Sequence, residues 1–169
     1  MLSVVPLLAG GAMFETGAGG TAPTLVKELK EKNHLLWDSL GEFLALSASL
    51  EHLSFFRQKK EAKELSDALN RAVASYLDEN KTPNATLDTR ESHFYLALFW
   101  AREMAKSDGI LSVIFENLSD ELEKNESEIL KQIREKDGAS VEFGGYYLLD
   151  EARANEVMRP SEILNQIIG

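Results

Sequence analysis

The residues best suited to chemistry are a group of glycines that leads into a predicted helix. Glycines stand at positions 17, 19 and 20, followed by Thr21, a favourable helix N-cap, and Pro23, which suits a first helical turn. Glycine lets the backbone approach a phosphate closely, and the free N–H groups and dipole of a helix N-terminus favour an anion. The segment therefore predicts a phosphate-binding turn; the alternative is an ordinary turn before a helix.

The elements that must position this turn are predicted to be mainly helices, because apolar residues recur at helical spacing. Helices are expected at about 21–32, 38–52, 61–77, 92–106 and 110–134, with a short one from Pro160. The densely apolar 92–106 helix should be central. Short extended segments are expected at 2–8, 12–16 and 139–149, which makes the fold class mainly α with short β segments (α+β).

Length and composition limit what the chain can be. Its 169 residues fit a single domain over 1–169. Because an apolar strand at 2–8 has no partner supplied before it, we expect a truncated part of a longer chain.

With 28 Asp and Glu against 18 Lys and Arg, the net charge of −10 disfavours nucleic acids and anionic membranes as partners. The absence of cysteine excludes disulfides and thiolate metal sites. No basic residue precedes Lys27 and no apolar run reaches about 20 residues, so a cytoplasmic protein is expected.

Several motifs follow one another along the chain in a consistent order. They are SVVPLLAGGAMFETGAGG near the start, the overlapping FETGAGGTAPTLVKELKEKNHLLWDSLGEFLAL, LDTRESHFYLALFWA at Leu87–Ala101, GGYYLLD at Gly144–Asp150 and VMRPSEILN at Val157–Asn165. Together they resemble the monomeric-type isocitrate dehydrogenases over essentially the whole chain. The Gly-Thr-Ala-Pro core also resembles the matching loop of the wider β-decarboxylating dehydrogenases.

The resemblance implies a fragment of an enzyme. Family members are several times longer, so this sequence resembles the truncated C-terminal part of an isocitrate/isopropylmalate dehydrogenase-like α/β domain. The implied reaction, a step of the tricarboxylic acid cycle, oxidises isocitrate by hydride transfer to a nicotinamide. Loss of CO₂ then gives 2-oxoglutarate, with Mg²⁺ or Mn²⁺ as Lewis acid. The family's metal ligands, most substrate arginines and proton-transfer pair fall outside this sequence. The chain should therefore supply one wall of the dinucleotide site, no catalytic or metal residue, and no turnover alone.

The resemblance also implies the residues that line the dinucleotide site. They are Gly19, Gly20, Thr21, Ala22, Leu25, Leu36, Asp38 and Ala85.

Three of these positions bear on the choice between NAD and NADP. Members that use NADP carry a histidine or arginine where this sequence has Leu25, Leu36 and Ala85, while Asp38 is kept. The 2′-phosphate of NADP needs cationic partners, and each charged hydrogen bond lost to it is worth about 1.5–3 kcal/mol. The carboxylate of Asp38 instead suits the 2′-hydroxyl of NAD. These positions predict NAD as cofactor. The alternatives are an NADP-dependent enzyme, as in the family at large, or a non-catalytic helical binding or oligomerising protein.

Other polar residues have weaker claims to a function. His34 is placed by the resemblance near the adenosine side, where it either contacts the cofactor or ends a helix, while His52 and His93 lack zinc-ligand spacing. Arg90, between two acidic residues, is expected to form a local salt bridge, and Arg159 to pack or cap a helix. Apolar faces left uncovered by the missing part should make the fragment associate into a dimer or larger oligomer.

Overall fold

The computed structural model describes residues 29–34, 40–79, 88–144 and 150–169. Residues 29–32 form the end of a helix. Six further helices follow in the described ranges: α1 Leu40–Arg57, α2 Lys60–Asp78, α3 Thr89–Ala105, α4 Ser112–Arg134, α5 Glu151–Met158 and α6 Glu162–Ile168. These ranges contain no β-strand, and no helix in them is both long and apolar enough to cross a membrane.

Helix α3 lies at the centre of the array, as its apolar sequence predicted. Helix α1 packs on α2, α2 on α3, α3 on α4, and α4 on α6. The main core joins buried side chains of α2, α3 and α4, among them Leu69, Phe94, Leu98 and Ile129, with Leu164 of α6. Because α3 contacts neighbours on both sides, both its apolar faces are buried.

Small polar side chains form a buried contact between α1 and α2. Ser47 is buried, and its hydroxyl donates to Asn70 Oδ1 at 2.9 Å and lies 3.1 Å from Ser66 Oγ. Ser66 Oγ donates in turn to the Ser47 carbonyl at 3.0 Å. These bonds satisfy the buried hydroxyls where the two helices meet.

The segment predicted as extended over 139–149 is irregular in its described part, 139–144. Instead of pairing with a strand, it follows the end of the 29–32 helix. The N–H of Gly138 (φ 87°) donates to the Lys32 carbonyl at 2.6 Å, and that of Val141 donates to the Lys30 carbonyl at 2.8 Å. The last carbonyls of a helix have no N–H partner within the helix. Here the backbone N–H groups of Gly138 and Val141 serve as their hydrogen-bond donors. The segments 2–8 and 12–16, also predicted as β, lie outside the described residues.

A second, smaller core fixes that helix end. Leu29 is buried against Phe143, Ala154, Val157 and Met158, so the 29–32 helix rests on α5. Sequence patterns did not predict α5. It begins at its N-cap Asp150, whose carboxylate accepts from the Arg153 N–H at 3.0 Å.

Candidate functional site

Two described residues that lie close in sequence to the predicted cofactor positions, Asn33 and Asp88, bind the same buried arginine. Arg90 lies in the first turn of α3, and its side chain is only 2% exposed. Its Nε and NH2 donate to the two oxygens of Asp88 at 2.8 and 2.9 Å. NH1 donates to Asn33 Oδ1 and to the Val157 carbonyl, both at 2.9 Å, and NH2 donates to the Asn33 carbonyl at 2.6 Å. All five guanidinium N–H groups are therefore used.

Asp88 has two roles at the start of α3. Its Oδ1 accepts from the Arg90 backbone N–H at 2.7 Å, which caps the helix. The same carboxylate binds the Arg90 guanidinium through both oxygens, the fork-to-fork geometry that gives strong, directional ion pairs. Asp88 is 1% exposed, so the cap and the ion pair form one buried unit.

Asn33 ends the helix that follows the glycine segment in the sequence. Its φ is 47°, the left-handed conformation with which many helices end, and asparagine adopts it more readily than most residues. It is buried, and both its backbone and side-chain carbonyl oxygens accept from Arg90. Arg90 thus connects this helix end to α3 and, through Val157, to α5.

A group of metal-ligand types lies beside this arginine. His34, Asp88 and Asp137 each offer a ligand atom, and these atoms lie within 4.8 Å of one another. His34 Nδ1 is 3.3 Å from Asp137 Oδ2 and 3.7 Å from Asp88 Oδ2. Arg90 NH2, however, donates to Asp88 Oδ2 and lies 3.7 Å from Asp137 Oδ1. Because the Arg90 guanidinium already occupies Asp88 Oδ2 and lies close to Asp137, it would repel a divalent cation placed there, and this group does not suit the Mg²⁺ or Mn²⁺ that the resemblance implies.

His93 lies further along α3, at the wall of an apolar cavity of about 260 Å³ between α1, α3 and α6. Burial lowers the pKa of His93 to about 4, against the opposing effect of a hydrogen bond to the Thr89 carbonyl. The ring is therefore neutral at pH 7. The other cavity walls include Phe43, Trp100 and Leu164, and this lining suits an apolar group better than a dinucleotide phosphate.

The predicted cofactor-binding residues themselves lie outside the described residues. They are Gly19, Gly20, Thr21, Ala22, Leu25, Leu36, Asp38 and Ala85.

The local roles predicted for two arginines are confirmed. Arg90 pairs with Asp88, although the buried network around it was not predicted. Arg159 joins α5 to α6, because its Nε donates to Asn165 Oδ1 at 2.9 Å while Asn165 Nδ2 donates to the Arg159 carbonyl at 2.9 Å.

A second ion pair, in which only the acidic partner is buried, also escaped prediction. Glu91 is 2% exposed and accepts from Arg134 of α4, whose NH2 approaches to 2.5 Å. This bond raises the pKa of Arg134. The only sequence signal was an acidic residue in the first turn of an apolar helix, which ordinarily indicates interaction with the helix dipole.

Comparison with known proteins assigns the sequence to a family. It matches the family described as monomeric isocitrate dehydrogenase over residues 1–169. It is 52% identical to isocitrate dehydrogenase (NADP) 2 of Psychrobacter sp. strain 13A, over all of this chain and 24% of that protein. Proteins with the same name from Mycobacterium tuberculosis and Colwellia maris are 49% and 45% identical, over 98% and 100% of this chain and 23% of each relative. The chain thus spans about a quarter of the length of these relatives.

The cofactor preference predicted from the sequence, NAD, is wrong. All six matched relatives carry NADP in their names. The prediction took Leu25, Leu36 and Ala85 as the whole surface that recognises the 2′-phosphate. In a chain that spans about a quarter of its relatives' length, three uncharged residues do not decide the cofactor.

The family match and the motifs that carry the resemblance both cover essentially the whole chain. The family covers every residue of the chain, and the relatives align with it almost from end to end. The chain belongs to the monomeric isocitrate dehydrogenase family.

Proposed function

We propose that this chain is the cofactor-side, C-terminal part of an NADP-dependent isocitrate dehydrogenase. The full-length enzyme transfers a hydride from the hydroxyl-bearing carbon of isocitrate to the nicotinamide. The resulting β-keto acid then loses CO₂ to give 2-oxoglutarate. The observation that carries the proposal is the family match over residues 1–169, supported by 52% identity to a relative named for NADP.

Within this proposal, the chain supplies one wall of the dinucleotide site. The glycine segment and the helix start after it bind the pyrophosphate through backbone N–H groups. The residues of the wall are Gly19, Gly20, Thr21 and Ala22 for the phosphates, with Leu25, Leu36, Asp38 and Ala85 bordering the adenosine part.

The cations that bind the 2′-phosphate and the ligands of the divalent metal are assigned to the rest of the full-length enzyme. Leu25, Leu36 and Ala85 carry no charge, so the cations that neutralise the 2′-phosphate come from other positions. When bound, the divalent metal polarises the oxygens of the substrate. Its ligands also come from other positions, because the Arg90 guanidinium already binds Asp88 in the candidate group and would repel a second cation. The 169 residues, taken as one domain, should therefore show no turnover alone.

Exposed apolar side chains support self-association of the isolated chain. Phe55 and Phe56 near the end of α1 are 79% and 65% exposed, and Ile110, Val113 and Ile114 around the start of α4 are 63–84% exposed. Apolar surface of this kind commonly marks an interface. Light scattering over a range of concentrations tests this proposal: a mass that rises toward a dimer or larger oligomer is expected, and a monomer throughout contradicts it.

The activity is tested on the full-length protein that contains this chain. With isocitrate and Mg²⁺, reduction of NADP followed by absorbance should be rapid and should require isocitrate. Absence of this reaction, or faster turnover with NAD, would overturn the proposal.

The fragment is tested separately. The 169-residue chain alone should give no reduced cofactor, and mixing it with the remaining polypeptide should restore NADP reduction. Turnover by the isolated chain would contradict the assignment of catalytic residues to the rest of the protein.

A further inference from the structure

The Arg90 network joins described residues that border two of the proposed cofactor segments. Asn33 stands three residues before Leu36, and Asp88 stands three residues after Ala85. Three residues of extended chain span at most about 11 Å. Asn33 and Asp88 are therefore each joined by a short length of chain to a residue proposed to border the adenosine part.

The network holds these stretches in a single arrangement. Arg90 donates to Asn33 and Asp88 at 2.6–2.9 Å from a side chain that is 2% exposed. The guanidinium is planar, so fixing its two contacts with Asp88 also fixes the direction in which it meets Asn33. A lysine offers its donors from a single nitrogen and cannot reproduce that geometry.

The geometry points to Arg90 as a positioning residue for NADP, acting through Asn33 and Asp88. This inference rests on the proposed function. Arg90 does not contact the cofactor, because all its donors are committed to protein acceptors. It sets the position of Asn33 relative to Asp88, the described residues next to the proposed adenosine-binding positions, and therefore acts on the affinity for the dinucleotide rather than on the chemical step.

The first test is Asn33→Gly in the full-length enzyme. Glycine keeps the backbone carbonyl and tolerates the positive φ of 47°, so the variant should fold while Arg90 loses one acceptor. We expect the KM for NADP to rise about tenfold, with kcat within about twofold of the original and the KM for isocitrate unchanged. Arg90→Lys should change the same constant in the same direction and by more.

The matched control is Arg102→Lys. Arg102 lies on the same helix and pairs with Glu123 at 2.6 Å through a side chain that is 33% exposed. This variant should keep the original KM for NADP. A purely structural role for the buried network predicts a lower melting temperature and less active enzyme, with no change in KM.

Direct titration of NADP without isocitrate separates the positioning role of Arg90 from the proposed dehydrogenase function, because it measures binding and needs no turnover. Weaker binding in Asn33→Gly, with binding retained in Arg102→Lys, supports the positioning role. Unchanged NADP affinity in Asn33→Gly overturns it, whatever happens to Arg90→Lys. If the unsubstituted enzyme binds NADP but does not oxidise isocitrate, the proposed function fails, while the titration still decides the role of Arg90.

Discussion

His93 should make the stability of the protein depend strongly on pH in the acid range. The imidazole lies on the central helix, with Nδ1 3.3 Å from the Thr89 carbonyl and its ring edge-on to Phe43 at 5.4 Å between ring centres. Protonation would place a charge at the wall of an apolar cavity. For this reason burial lowers the pKa of His93 from 6.5 to about 4.

The sign follows from comparing the folded and unfolded chains. Below pH 6.5 the unfolded chain binds a proton at His93, whereas the folded protein does so only near pH 4. The free energy of unfolding therefore falls as the pH drops through this window and is unaffected by His93 above it. Since one pKa unit corresponds to about 1.4 kcal/mol, the loss due to His93 reaches about 3 kcal/mol by pH 4.

The perturbation that tests this is His93→Gln, which keeps a hydrogen-bond donor of similar length and removes the titration. Urea unfolding of the original and variant proteins should be compared at several pH values from 7 to 4. The original protein should lose about 3 kcal/mol more than the variant across that range. His52→Gln, at an exposed position on α1, shows what replacing a surface histidine does to the same curve. Parallel stability curves for the original and His93→Gln would refute the reasoning.

Two further predictions concern α6 and the main core. The Ser161 hydroxyl caps α6 by accepting from the Leu164 N–H at 3.2 Å, and Ser161→Ala removes it. The variant should lower the free energy of unfolding, measured by urea unfolding at pH 7, by about 1 kcal/mol. Ile129→Ala empties a fully buried position of α4 and should cost about 2–5 kcal/mol in the same measurement; a loss below about 1 kcal/mol would mean that the core there relaxes to fill the space.

The main helices were predictable because their information is local. The apolar repeat of α2, through Leu65, Leu69 and Tyr76, matches the 3.6-residue period, and the structure places α2 at Lys60–Asp78. The density of apolar residues in α3 likewise predicted its central position. Family membership was also predictable from the sequence, since several motifs follow one another in the same order as in the family.

Other features were not predictable because they depend on partners distant in the chain. Residues 139–144 carry the alternating apolar residues typical of a strand, yet their backbone bonds to the end of a helix more than 100 residues earlier. Helix α5 has only eight residues, too few for a clear periodic signal. The cofactor was misjudged because three positions were taken to decide it, whereas the chain spans only about a quarter of the length of the relatives named for NADP.

The sequence alone determined the helical periodicity and the family, while phosphate binding by its glycine segment stays a prediction. Only the tertiary structure decided that Arg90 is buried and joins three stretches of chain, with Asn33 and Val157 standing 57 and 67 residues away from it. The physical reason is that an arginine beside an aspartate forms a local pair in many contexts. Whether its remaining donors meet water or protein carbonyls depends on which helix ends pack around it, and that packing is a property of the whole fold.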